Sequence, residues 1–135
     1  MKPLFLTVDC HSLPVPDLDE AIAFYGALGH SLIWRDGTRA AGLRLPESEA
    51  ELVLHTDVRP IETDFMVQSV PEAIERFTSA GGTLVRGPFD IQIGQCAVLL
   101  DPWNNPLVIL DASKGLLKTD PNGNILGHRQ PGKAG

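Results

Sequence analysis

A chain of 135 residues with 43% apolar and 21% charged side chains has the size and balance of one globular domain with a real core. Its net charge of -6, with no run of Lys or Arg, argues against a nucleic-acid backbone or an anionic membrane surface as partner. Two cysteines make no disulfide framework, and no stretch reads as a signal peptide or membrane span, so a cytoplasmic protein with reduced thiols is expected.

The first strand is expected in "VDCHSLPV", which alternates with period two. Asp17 then opens "DLDEAIAFYGALG", with Glu20 three residues on, as in a capping box. Leu18, Ala21, Ile22, Tyr25 and Leu28 fall on one helical face, and Gly29 supplies the stop. The segments "HSLIW", "AAGLRL" and "ELVLHT" follow as strands. From Glu62 the order repeats. "ETDFMV" alternates as a strand, and Ser69 with Glu72 caps a helix that has Pro71 in its first turn. Ala73, Ile74, Phe77 and Ala80 form its apolar stripe, and Gly81-Gly82 end it. "GTLVRG", "QCAVLL" and "NPLVILD" read as the last strands, with "DPWNN" as a tight turn. Each half is therefore β-α-β-β-β.

The halves also match residue by residue. "DLDEAIAFYGALGHSLI" aligns without a gap on "SVPEAIERFTSAGGTLV", which implies one domain made by duplication with "DVRPI" as linker. The domain is placed at residues 1–112, with module one over about 4–56 and module two over about 62–112. Residues 113–135 form an extension. Its "DPNGN" turns a hairpin between "LLKT" and "NILGH", and its final "RQPGKAG" is expected to be disordered.

A paired βαβββ module carrying "PVPDLDEAIAFYGALGH" in one copy and "GGTLVRGPFD…DPWNNPLVILD" in the other resembles the vicinal oxygen chelate superfamily. That superfamily includes glyoxalase I, extradiol dioxygenases and bleomycin resistance proteins. The resemblance covers about residues 4–112. It implies an α+β fold in which two βαβββ modules curl into a cup-shaped mixed sheet with helices outside. It also implies a homodimer, and in the metal-dependent members a ligand on the first and last strand of each module.

Strand parity selects the residues that face such a cup. Leu13 and Val15 belong to the helix side, which leaves Cys10 and Ser12 on the cup side and His11 facing away. By the same alternation Glu51, Val53 and His55 face the cup from "ELVLHT", and Glu62, Asp64 and Met66 from "ETDFMV". By resemblance the four ligand positions are Cys10, Glu51, Glu62 and Val108. Valine binds no metal, and a catalytic site normally needs three protein ligands. The sequence thus favours no cofactor; a divalent metal, if bound, would use Cys10, Glu51 and Glu62. Glu51 and Glu62 are the candidate catalytic acid or base. Cys10, Ser12, His55, Asp64 and Trp103 are the candidate ligand-binding residues. Three functions stay open: an enzyme of lyase, isomerase or dioxygenase type acting on a small molecule, a metal-free drug-binding protein like the bleomycin resistance proteins, and a metal-independent enzyme with Glu51, Glu62 or Asp64 as its base.

Overall fold

Both helices begin where the sequence supplies a cap. In the computed structural model, which describes residues 2–115 and 117–128, α1 spans Leu18–Ala27 and α2 spans Val70–Ser79. Asp17 is extended and its Oδ1 accepts the Glu20 N–H at 2.9 Å. Ser69 does the same for Glu72 at 3.4 Å. Each satisfies a donor that the first turn leaves unpaired. Gly29 and Gly81, at φ 97 and 113, take the left-handed conformation that ends each helix at little steric cost.

The chain divides into two compact units. One holds residues 9–63 and 118–127; the other holds residues 2–8, 64–117 and 128 of those described. In the first unit lie β1 (Thr7–Pro14, from Asp9 on), β2 (Leu32–Asp36), β3 (Ala40–Arg44) and β4 (Glu51–His55), in spatial order β2-β3-β4-β1. β1 runs parallel to β4, and the other pairs are antiparallel. The second unit repeats this with β5 (Glu62–Met66, from Asp64 on), β6 (Thr83–Asp90), β7 (Gln95–Leu100) and β8 (Pro106–Leu110), in order β5-β8-β7-β6 and with β5 parallel to β8. The duplication therefore holds at the level of topology, and the fold is α+β with two βαβββ copies.

Each helix covers one sheet face. Leu18, Ala21, Ile22 and Tyr25 pack on Leu13, Val15, Ala41, Leu43, Leu52 and Leu54. Val70, Ala73, Ile74 and Phe77 pack on Phe65, Val67, Ala97, Leu99 and Ile109. The expected stripes are each one residue too long, since Leu28 and Ala80 are exposed. Both are C-caps, where the chain leaves the helical path and no longer follows the buried face. β6 runs three residues past the expected "GTLVRG". Pro88 is tolerated because β6 lies at one end of its unit's strand order and its register shifts between Arg86 and Phe89.

The faces away from the helices differ. In the second unit Cys96, Val108 and Leu110, with Met66, Phe89 and Val98, make an apolar layer. In the first unit the corresponding face carries Ser12, Glu51 and His55, and the polar chemistry is concentrated there. β9 (Leu117–Thr119) and β10 (Ile125–His128) form a two-stranded sheet. Its turn meets β2, where the Arg35 N–H donates to the Gly123 carbonyl at 2.7 Å and so masks part of an edge strand. The terminal "RQPGKAG" lies outside the described residues. No helix among the described residues is long and apolar enough to cross a membrane.

The two turns "DPWNN" and "DPNGN" are built alike. Asp101 Oδ1 accepts from the Trp103 and Asn105 N–H groups, and Asp120 Oδ1 from those of Asn122 and Asn124. The fourth position is left-handed in both, with Asn104 at φ 68 and Gly123 at φ 87. Asn104→Ala is expected to lower stability by about 1 kcal/mol and Asn104→Gly to be near neutral, because a Cβ without a local polar partner is disfavoured there. Thermal unfolding of the two variants checks this.

Candidate functional site

The α1 core takes alternate residues from β1 and β4, so the intervening ones project from the opposite face. Cys10 and Ser12 on β1 and Val53 and His55 on β4 are buried, while Glu51 is half-buried and sits opposite Cys10 in the parallel register. His11 is exposed, and its Nδ1 lies 2.9 Å from Thr63 Oγ1.

Glu51 anchors one end of this face. Its Oε1 accepts the Trp34 indole N–H at 2.6 Å, a charge-assisted bond at the short end of the range. Trp34 pairs with Gly42 across β2 and β3, and its indole occupies the space above that glycine, so that a Cβ on residue 42 would overlap the ring. Gly42 is therefore what allows the indole to reach the carboxylate. Burial pushes the Glu51 carboxyl above its ordinary value, and the nearby Asp9 carboxyl pushes the same way. The Trp34 bond and Arg44 oppose them without prevailing. Asp9 is also raised, chiefly by burial, against a hydrogen bond from the Cys10 thiol.

The other end of the face is a polar cluster around Arg59. Ser12 Oγ donates to the Glu62 carbonyl at 3.3 Å and lies 3.4 Å from Arg59 Nη1. Arg59 Nη1 lies 3.4 Å from Glu62 Oε1, and its Nε lies 3.5 Å from Asp57 Oδ2. His55 is 0% exposed. Neither ring nitrogen reaches hydrogen-bond geometry with a partner among the described residues, although the Asp57 backbone lies near enough to favour the protonated ring slightly. Burial holds its pKa below the usual value, and the Arg59 cation adds to this. The Asp57 and Glu62 carboxylates only partly offset them, so the neutral imidazole is favoured.

The first unit thus brings Cys10, Ser12, Glu51, His55 and Glu62 into one face, in two subclusters. Asp64 and Trp103 belong to the second unit. Asp64 is half-buried on β5 opposite Val108, and Trp103 is 79% exposed in the turn between β7 and β8. Asp9, Trp34 and Arg59 were not among the site residues expected from sequence. Only Trp34 had a usable signal, since a glycine inside "AAGLRL" marks a close approach by another group.

The residues at the superfamily's ligand positions do not fit a resident metal. Glu51 gives one of its two carboxylate oxygens to the Trp34 indole, Glu62 faces the Arg59 cation, and the Cys10 thiol is bonded to Asp9. The fourth position, Val108, sits in the apolar layer of the second unit and has no donor atom. Among the described residues no three His, Cys, Asp or Glu side chains are placed to hold one ion.

Two βαβββ copies, each with one helix-covered face, define a protein of the vicinal oxygen chelate superfamily. The chain belongs to the glyoxalase-like domain family, which it matches over residues 6–110. It is 35% identical over 107 residues to an uncharacterized protein of Mycolicibacterium smegmatis, a match spanning 76% of this chain and 90% of that one. Methylmalonyl-CoA epimerase from Mycobacterium tuberculosis shares the fold, with a TM-score of 0.66 and 22% identity over 82% of this chain and 91% of the epimerase. An extradiol ring-cleaving dioxygenase from B.fuscum superposes with a TM-score of 0.58 and 25% identity, over 82% of this chain but 33% of the dioxygenase.

Proposed function

We propose that the protein is a small-molecule enzyme of lyase or isomerase type that transfers a proton through the Glu51 carboxyl, without a resident metal. The observation that supports this is the half-buried Glu51 carboxyl itself. It is raised by burial and by Asp9 and fixed by Trp34, and a carboxyl raised and positioned in this way suits acid–base work. With Oε1 held by the indole, Oε2 is the oxygen left to act. As carboxylate it takes a proton from the carbon beside a substrate carbonyl, and the C–H electron pair moves into an enolate. Returning the proton to either face of that carbon gives an isomerase, and expelling a β-substituent gives a lyase. The dioxygenase branch is not favoured, because the donor set at the ligand positions is wrong for an oxygen-activating metal.

Metal-free binding of a cationic drug is the second reading. The Glu51 carboxyl beside the Trp34 ring, with the Asp9 charge near enough to act on it, supports it. Deuterium exchange separates the two. In D2O, proton NMR of 2-oxo acids, hydroxyketones and acyl thioesters should show enzyme-dependent loss of a Cα–H signal, undiminished by EDTA and lost in Glu51→Gln. Exchange that requires added metal, or that survives in Glu51→Gln, would sink the acid–base reading.

A further inference from the structure

We propose that Ser12, His55 and Arg59 form a binding subsite for the carboxylate group of a small organic acid, on the face that also carries Glu51. The proposal deepens the reading of that face as a small-molecule site and rests on it. Three observations carry it.

The first is His55. Both ring nitrogens are buried with no hydrogen-bond partner among the described residues, and such orphans are costly and uncommon in a native interior. Alternation along β4 places this ring on the same face as Ser12, away from the α1 core. The second is Arg59. Well-made guanidinium–carboxylate contacts fall at about 2.7–2.9 Å. Among the described residues one is made, between Arg35 and Asp19 at 2.7 Å. Arg59 makes none; its contacts to Ser12, Glu62 and Asp57 all lie between 3.4 and 3.5 Å. The third is the donor count. A neutral imidazole offers one N–H and Arg59 a planar pair of N–H groups, and the Ser12 O–H adds a further donor when it turns from the Glu62 carbonyl, which it holds at only 3.3 Å. Together these match the lone pairs of one carboxylate.

The charges around the cluster agree with an anion that enters by exchange. Asp57 is shared with Arg39, which lies 3.6 Å away, and this leaves Glu62 as the internal carboxylate loosely facing Arg59. A bound acid would displace Glu62 from the guanidinium and hydrogen-bond His55. A cationic ligand at this end would instead meet the Arg59 charge and an imidazole that burial keeps neutral.

The test is a titration with propionate, and with propionamide as the neutral isostere, at constant ionic strength, following the His55 ring by nitrogen-15 NMR. Propionate should shift the ring saturably with millimolar affinity, and propionamide should not. Arg59→Gln should weaken propionate by about tenfold or more, the value of a charge-assisted pair. Glu62→Gln removes the competitor at a half-exposed position that does not threaten the fold, and should tighten binding by about threefold. Equal responses to the two probes, no saturation by roughly 50 mM, or unchanged binding in both variants would overturn the subsite. Repeating the titration in Glu51→Gln separates this proposal from the acid–base reading. Propionate binding with deuterium exchange undiminished in that variant leaves the subsite standing and removes Glu51 as the base. Exchange that depends on Glu51, with no propionate response, does the reverse.

Discussion

Asp111→Ala is expected to destabilise the second unit by about 3 kcal/mol or more, a large fraction of the stability of an ordinary domain. Asp111 is 2% exposed and accepts four hydrogen bonds. Its Oδ2 takes the Val70 N–H at 2.8 Å, which ties β8 to the first turn of α2. Its Oδ1 takes the Gln95 N–H at 2.9 Å, the Ser113 hydroxyl at 2.8 Å and the Ser113 N–H at 3.2 Å. Alanine leaves the buried Val70 N–H and the half-buried Gln95 N–H with no acceptor, and their desolvation cost is then felt, while the exposed Ser113 donors turn to water. Burial alone would raise the Asp111 carboxyl, but the bonds from Val70, Gln95 and Ser113 outweigh it and hold the group below its ordinary value of 3.8. Its contribution is therefore complete above that value and fades as the pH falls through the lower folded value. Asp111→Asn keeps one acceptor oxygen, so its loss should be smaller and its stability should lack that acid limb. Urea unfolding of the three proteins between pH 3 and 7 checks both points. Equal stability of wild type and Asp111→Ala at pH 7 would contradict them.

The duplicated βαβββ order was legible because its signals are local. The caps Asp17 and Ser69, the glycine stops and the two apolar stripes all act within a few residues. Alternation along β1 was enough to separate buried Cys10 from exposed His11. The site was only partly legible. Arg59 lies in the "DVRPI" linker, where no period predicts direction, and its role appears only once Ser12 and Glu62 are beside it. Asp9 precedes Cys10 on a strand whose alternation assigns it the other face, yet its charge still reaches Glu51. Trp34 could be read as core filler until the register set it over Gly42. Pairing across strands is non-local, and residue type alone does not show which indole meets which carboxylate.

Glu51→Gln is expected to lower deuterium exchange by about 100-fold or more, the usual loss on removing a positioned acid–base group. Stability should move the other way. The Glu51 carboxyl is raised in the fold by burial and by Asp9, so its contribution is complete below the ordinary glutamate value of 4.5 and is lost as pH rises through the raised folded value. Wild type should therefore weaken over that range, and Glu51→Gln should not. A variant that loses exchange yet unfolds no more easily at pH 7 marks a residue kept for chemistry and not for the core. Gly42→Ala gives a graded version of the same test. Its new Cβ displaces the indole, and Glu51 loses the bond that holds its pKa down. The carboxyl then rises further, so the acid limb of the exchange profile should move to higher pH while the plateau at alkaline pH falls less than in Glu51→Gln. Trp34→Phe removes the same N–H without crowding residue 42 and should move the limb in the same direction. If the limb stays in place in both variants while exchange persists, the titrating base is some group other than Glu51.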